Sequence, residues 1–152
     1  MNDQNLDLSD YPQPTAAVDL AAIGHNVRVL KRHAGQARVM AVVKADGYGH
    51  GASAVARSSI EAGAAEIGVA TIAEAVQLRR AGIQAPIQCW LHSPGAPCHA
   101  ALSDEIRVGI SSIAQLHEVK AAVRASGRQA HIDVKVDTGL HRNGSPPAIG
   151  RH

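Results

Sequence analysis

Phenylalanine is absent from this 152-residue chain, and one tryptophan and two tyrosines are all that represent the aromatics. A surface that holds nucleic acid by stacking bases on rings cannot be built from so few. Charge is scarce as well: charged residues make up 18 %, the formal net charge is only +2, and the lysines and arginines are scattered. Neither nucleic acid nor an anionic membrane surface is therefore an expected partner. Two cysteines, Cys89 and Cys98, are too few for a disulfide framework or for a zinc site of their own. Most of the nine histidines, such as His33, His117 and His131, stand alone in periodic segments, and His92 with Cys98 and His99 is the one local cluster. Surface or satisfied polar histidine is the better reading, and no metal is expected. No apolar run approaches membrane-spanning length, and the opening "MNDQNLDLSD" is acidic and polar, unlike a secretory leader. The expected compartment is the cytoplasm.

What the chain does have is aliphatic residues, in a hydrophobic fraction of 45 %. One ordinary globular domain suits this length. "VDLAAIGHNVRVLKRHAG" reads as a helix capped by Asp19, with Ile23, Val27 and Leu30 on one stripe and Gly35 to end it. "RVMAVVKA", "EIGVAT", "PIQCWLH", "IRVGIS" and "HIDVKVDTG" read as short apolar strands; in the last, Ile132, Val134 and Val136 share a face expected to lie against helices, opposite the polar face of His131, Asp133, Lys135 and Asp137. Between them lie helical patterns in "GASAVARSSIEAG", in "IAEAVQLRRAG", and in "IAQLHEVKAAVRASG", where Ser112 caps, Ile113, Leu116 and Val123 share a face, and Gly127 stops the helix. "HSPGAPCHAALSD" offers little room for a full helix. Alternation of strand and helix predicts a parallel sheet, and five strands are compatible with either a doubly wound sheet or part of a (β/α)8 barrel.

"AVVKADGYGHG" (residues 41–51) carries the chemistry. With period two, Met40, Val42 and Lys44 share one strand face, which places Lys44 at the C-terminal tip where α/β folds bind ligands. A lone lysine there is ordinarily one that snorkels to solvent. The three glycines that follow allow positive φ and close backbone approach, which tilts the reading toward a site. An amine in partly apolar surroundings can attack a carbonyl, and pyridoxal phosphate is the cofactor that most often uses such a lysine. Tyr48 is near enough to donate to its phosphate. Neither G-x-x-x-x-G-K-[ST] nor G-x-G-x-x-G is present around Lys44.

This stretch resembles the cofactor-lysine signature of the bacterial alanine racemases. "TAAVDLAAIGHNVRVLK" is similar to the family's opening helix, and "HIDVKVDTGLHRNG" resembles its D-T-G-x-x-R segment. Similarity runs over about residues 14–144, with a loose segment at 1–13 and an atypical tail at 145–152. The resemblance implies a (β/α)8 TIM-type barrel, incomplete here with five of its eight strands and without the family's β-rich C-terminal domain.

The same resemblance implies the roles. Lys44 holds pyridoxal 5'-phosphate as an internal aldimine and serves as one of two bases. Tyr48 contacts the phosphate, Lys135 is carbamylated, and Arg142 lies near the ring oxygen and the substrate carboxylate. The activity implied is interconversion of L- and D-alanine for the cell wall, in a homodimer. The family's second base is a partner subunit's tyrosine; Tyr11 and Tyr48 are the tyrosines here, and neither suits that role. The chain on its own is thus expected to have no turnover. The alternative is a non-catalytic pyridoxal-phosphate-binding barrel of the cofactor-homeostasis type.

Overall fold

In the computed structural model of the chain, residues 15–146 are described. The expected loose segment at 1–13, Tyr11 and residues 147–152 of the expected tail lie outside them. The order of elements is α1 (Leu20–Ala34), β1 (Met40–Val42), α2 (Lys44–Gly49), α3 (Ala52–Glu61), β2 (Glu66–Val69), α4 (Ile72–Arg80), β3 (Ile87–Cys89), α5 (Cys98–Ser103), β4 (Arg107–Ile110), α6 (Ile113–Ser126) and β5 (Ile132–Val134). Local chemistry sets many of these ends. Asp19 accepts from the Ala22 N–H at 3.0 Å, Ser112 accepts from the Gln115 N–H, and Gly127 closes α6 in the left-handed region.

The five strands form one parallel sheet in the order β1-β2-β3-β4-β5. Sequential order without reversal sends every crossover the same way and gathers the helices on one face. That is the wall of a barrel rather than a doubly wound sheet, which reverses at a switch point. Toward the helices, Ile67, Val69, Ile87, Cys89, Val108 and Ile110 are buried and join Val43, Ile72, Ala75 and Leu78 in one core.

The opposite, concave face is polar at its floor. Glu66 pairs with Arg38 at 2.9 Å and with Arg107 at 3.1 Å, and Arg107 reaches Asp133 at 3.7 Å. One level up, a Cβ on Gly68 would lie 2.6 Å from the Trp90 ring and 2.8 Å from Met40 Sδ. Glycine is what lets that ring approach the strand so closely. Gly68→Ala is accordingly expected to destabilise the chain by about 1–3 kcal/mol in urea unfolding, and a neutral outcome would remove the ring from this place.

Four details differ from the sequence reading. Leu30 is 61 % exposed. Gly24 is buried beside Val27 and faces Ser58 and Ala62 of the α3 region, and Gly24 and Leu30 lie about 120° apart around the helix, so packing on Gly24 turns Leu30 away. Ile113 is also exposed, and Val119 is the buried residue of α6. "HSPGAPCHAALSD" does contain a helix, the six-residue α5, held by buried Cys98, Ala101 and Leu102. Finally, Ile132, Val134 and Val136 share a face but are not sealed against helices; Val134 is 64 % exposed, since among the described residues no helix follows β5 to cover it.

Candidate active site

Lys44 emerges where β1 ends. Val43, whose N–H still donates to the Gly68 carbonyl at 2.9 Å, is buried among the helices, so alternation turns Lys44 to the concave side. Lys44 is half-buried, and among the described residues its amine forms neither a hydrogen bond nor an ion pair. The nearby group is Tyr48, whose ring centroid lies 5.6 Å from Nζ, within cation–π reach.

The chain beyond Lys44 turns left-handed. Ala45, Asp46, Gly47 and Tyr48 have φ between 52° and 61°. Three of them carry a Cβ, at a cost of roughly 3–6 kcal/mol by the usual penalty per residue. Four hydrogen bonds from fixed neighbours hold this path. Gly47 donates to the Val43 carbonyl at 3.0 Å, and Gly51 donates to the Asp46 carbonyl at 3.0 Å. The Asp46 carboxylate accepts from the Ala52 N–H at 2.7 Å, which ties the turn to the start of α3. The Ala45 N–H donates to Glu74 Oε1 at 2.7 Å. His50 Nδ1 also sits 2.7 Å from the Gly47 carbonyl, which accounts for a histidine between glycines.

Glu74 carries no site signal in the sequence beyond a cap, since Thr71-x-x-Glu74 spells a capping box. Its Oε2 accepts from the Ala70 and Thr71 N–H groups, each at 2.9 Å, and from the Thr71 hydroxyl at 3.2 Å. Burial raises the carboxyl's pKa, but the Ala45, Thr71 and Ala70 N–H groups with the Thr71 hydroxyl outweigh it and hold the group below the ordinary glutamate value.

At the far edge, Lys135 continues the β5 ladder by donating its N–H to the Ile110 carbonyl at 2.8 Å. Its Nζ lies 2.5 Å from Asn143 Oδ1 and 3.4 Å from the Trp90 carbonyl. Partial burial lowers its pKa, and the charge of Arg142 lowers it further. Asp137 organises the turn between them, accepting from the Gly139 and His141 N–H groups at 3.0 Å each and from His141 Nδ1 at 2.8 Å. Those N–H bonds hold the Asp137 carboxyl below its ordinary range. The D-T-G-x-x-R spacing thus describes an aspartate-tied loop that delivers Arg142 next to Lys135. Asp137 and Asn143 are the residues that the sequence reading left without a role.

Lys44 with Tyr48, just past β1, and Lys135 with Arg142, just past β5, are therefore two pairs at the same end of one parallel sheet. An aldehyde cofactor needs an accessible, unpaired amine beside a polar donor. Lys44 and the exposed Tyr48 supply both. The His92, Cys98 and His99 cluster does not assemble: His92 and Cys98 are buried while His99 is exposed. Among the described residues, no group of three or more His, Cys, Asp or Glu is placed to hold a metal ion. Cys89 and Cys98 are free and buried, and burial, with Cys98 nearby, pushes the Cys89 thiol up to about 12, which makes it inert. No helix among the described residues is long and apolar enough to cross a membrane.

The fold is a parallel α/β barrel segment with a lysine at the C-terminal tip of its first strand. The family model "Alanine racemase, N-terminal domain" matches residues 18–149. An alanine racemase of Mycobacterium tuberculosis (strain ATCC 25618 / H37Rv) is 59 % identical over 133 residues, covering 88 % of this chain and 35 % of the relative. The crystal structure of an alanine racemase from D-cycloserine producing Streptomyces lavendulae superposes with a TM-score of 0.86 at 50 % identity, over 90 % of this chain and 37 % of that one. A histidine racemase from Leuconostoc mesenteroides subsp. sake NBRC 102480 superposes at 0.78 with 29 % identity, over 85 % and 35 %. This chain belongs to the alanine racemase family, as its N-terminal barrel part. It spans about a third of the length of the curated relatives it matches.

Proposed function

We propose that this chain supplies the cofactor-lysine part of an alanine racemase: Lys44 holds pyridoxal phosphate and moves a proton at the alanine α-carbon. The observation that carries this reading is the Lys44 amine on the concave strand tip, without a partner among the described residues and followed by a left-handed turn, in a stretch that the family model spans. When bound, pyridoxal phosphate supplies an electron sink that makes the α-carbon acidic. Lys44 reaches one face of that carbon. Tyr48 donates its hydroxyl to the phosphate, and Arg142 receives the substrate carboxylate in a charge-assisted pair. Lys135, with its ammonium form disfavoured, is suited to adding carbon dioxide as the neutral amine with loss of one proton; the carbamate then orients Arg142 rather than repelling it.

Racemisation also requires a base on the opposite face. Tyr48 is the one tyrosine among the described residues, and it belongs to the Lys44 turn itself. The second base therefore comes from outside the described residues, in keeping with a homodimeric, cytoplasmic racemase. Alanine is the substrate in the names of the relatives, which supports it as the substrate of this reading.

The test is to incubate the purified chain with pyridoxal phosphate, reduce with borohydride and map the label by mass spectrometry. The label is expected on Lys44, with alanine interconversion at background by chiral chromatography. A label spread over Lys31, Lys120 and Lys135 in proportion to exposure would sink the reading.

A further inference from the structure

A capping box asks for one carboxylate oxygen. Glu74 meets that requirement with Oε2, which takes three donors from the β2–α4 junction. Its other oxygen reaches across to the neighbouring strand tip and accepts from Ala45, the residue next to Lys44 and the first of the left-handed run. One carboxylate thus joins two strand-to-helix connections 29 residues apart. Among the described residues, Glu74 forms no ion pair. Asp46 lines the same small cavity of about 130 Å³, and the Cys89 thiol lies within electrostatic range from β3.

We propose that Glu74 is a positioning residue for the cofactor lysine: by holding the Ala45 N–H, it fixes the peptide that aims Lys44 and keeps the left-handed turn from relaxing. This rests on the reading of Lys44 as the cofactor lysine. Release of the Ala45 bond lets three strained residues seek right-handed or extended backbone, and Lys44 loses its direction. Glu74 does no chemistry on the substrate.

Glu74→Gln isolates the effect. Its amide has a single acceptor oxygen, which three donors draw toward Ala70 and Thr71, so its NH2 group faces the Ala45 N–H, donor against donor. Glutamine still completes a capping box. In the variant, the melting curve is expected to stay close to that of the parent, the Ala45 amide to exchange at least about tenfold faster, and borohydride-trapped loading at Lys44 to fall about tenfold. Unchanged loading and unchanged Ala45 exchange would overturn the proposal. Should the variant unfold, the unaltered chain decides by NMR titration. The Ala45, Ala70 and Thr71 amide shifts must share the low midpoint of the Glu74 carboxyl, and an Ala45 amide that stays still would overturn it. If the parent chain does not load at Lys44 at all, the cofactor reading fails, and the Ala45 amide alone decides whether Glu74 holds the turn.

Discussion

Lys44→Ala is expected to abolish borohydride-trapped pyridoxal phosphate, lowering the captured label by on the order of 100-fold against the remaining lysines. The other three lysines react as ordinary surface or strand amines, without a turn that orients them toward a shared donor. Lys44→Arg should fail just as completely, since a guanidinium keeps the charge but does not attack a carbonyl. Both variants should melt with the parent, because the Lys44 amine has no hydrogen-bond or ion-pair partner among the described residues. Tyr48→Phe provides the graded comparison: it removes one phosphate donor and leaves the amine, so loading weakens without disappearing. If Lys44→Ala retained the label, the strand-tip assignment would be lost, whatever the fold.

How far this could be read from the residues depends on how local the cause is. Asp19, Ser112, Gly35 and Gly127 act within a turn of their own helices, and their positions were legible. So was Lys44, since a strand that ends in a cation and then in glycines is a short-range pattern. The barrel itself needed the family resemblance, because five alternating strands do not distinguish a sheet that reverses from one that curls. The left-handed path was only half legible. Gly47 licenses positive φ, but Ala45, Asp46 and Tyr48 adopt it because Glu74 and Ala52, outside the turn, hold the Ala45 N–H and the Asp46 carboxylate. The Thr71-x-x-Glu74 pattern announces a cap and is silent about the spare oxygen. The apolar face of β5 shows the converse: alternation identified which residues share a side, yet burial depends on what packs there.

That distinction gives the last prediction. Ile67 lies in β2, fully buried between Ala41 and Ile87 on the neighbouring strands and within the main core. Ile67→Ala removes three carbons where the sheet and helices pin every neighbour, so the site cannot collapse around the gap. A loss of about 3 kcal/mol in urea unfolding is expected, with an unchanged m-value. Val134, also aliphatic and on the same side of the sheet, is 64 % exposed in β5. Val134→Ala gives up little buried area and should stay within about 0.5 kcal/mol of the parent. Strand propensity is similar for the two residues, so the contrast measures burial rather than backbone preference. Equal losses at the two positions would mean that the outer face of β5 is covered in solution by another surface, and that the core extends to an edge where the described residues leave it open.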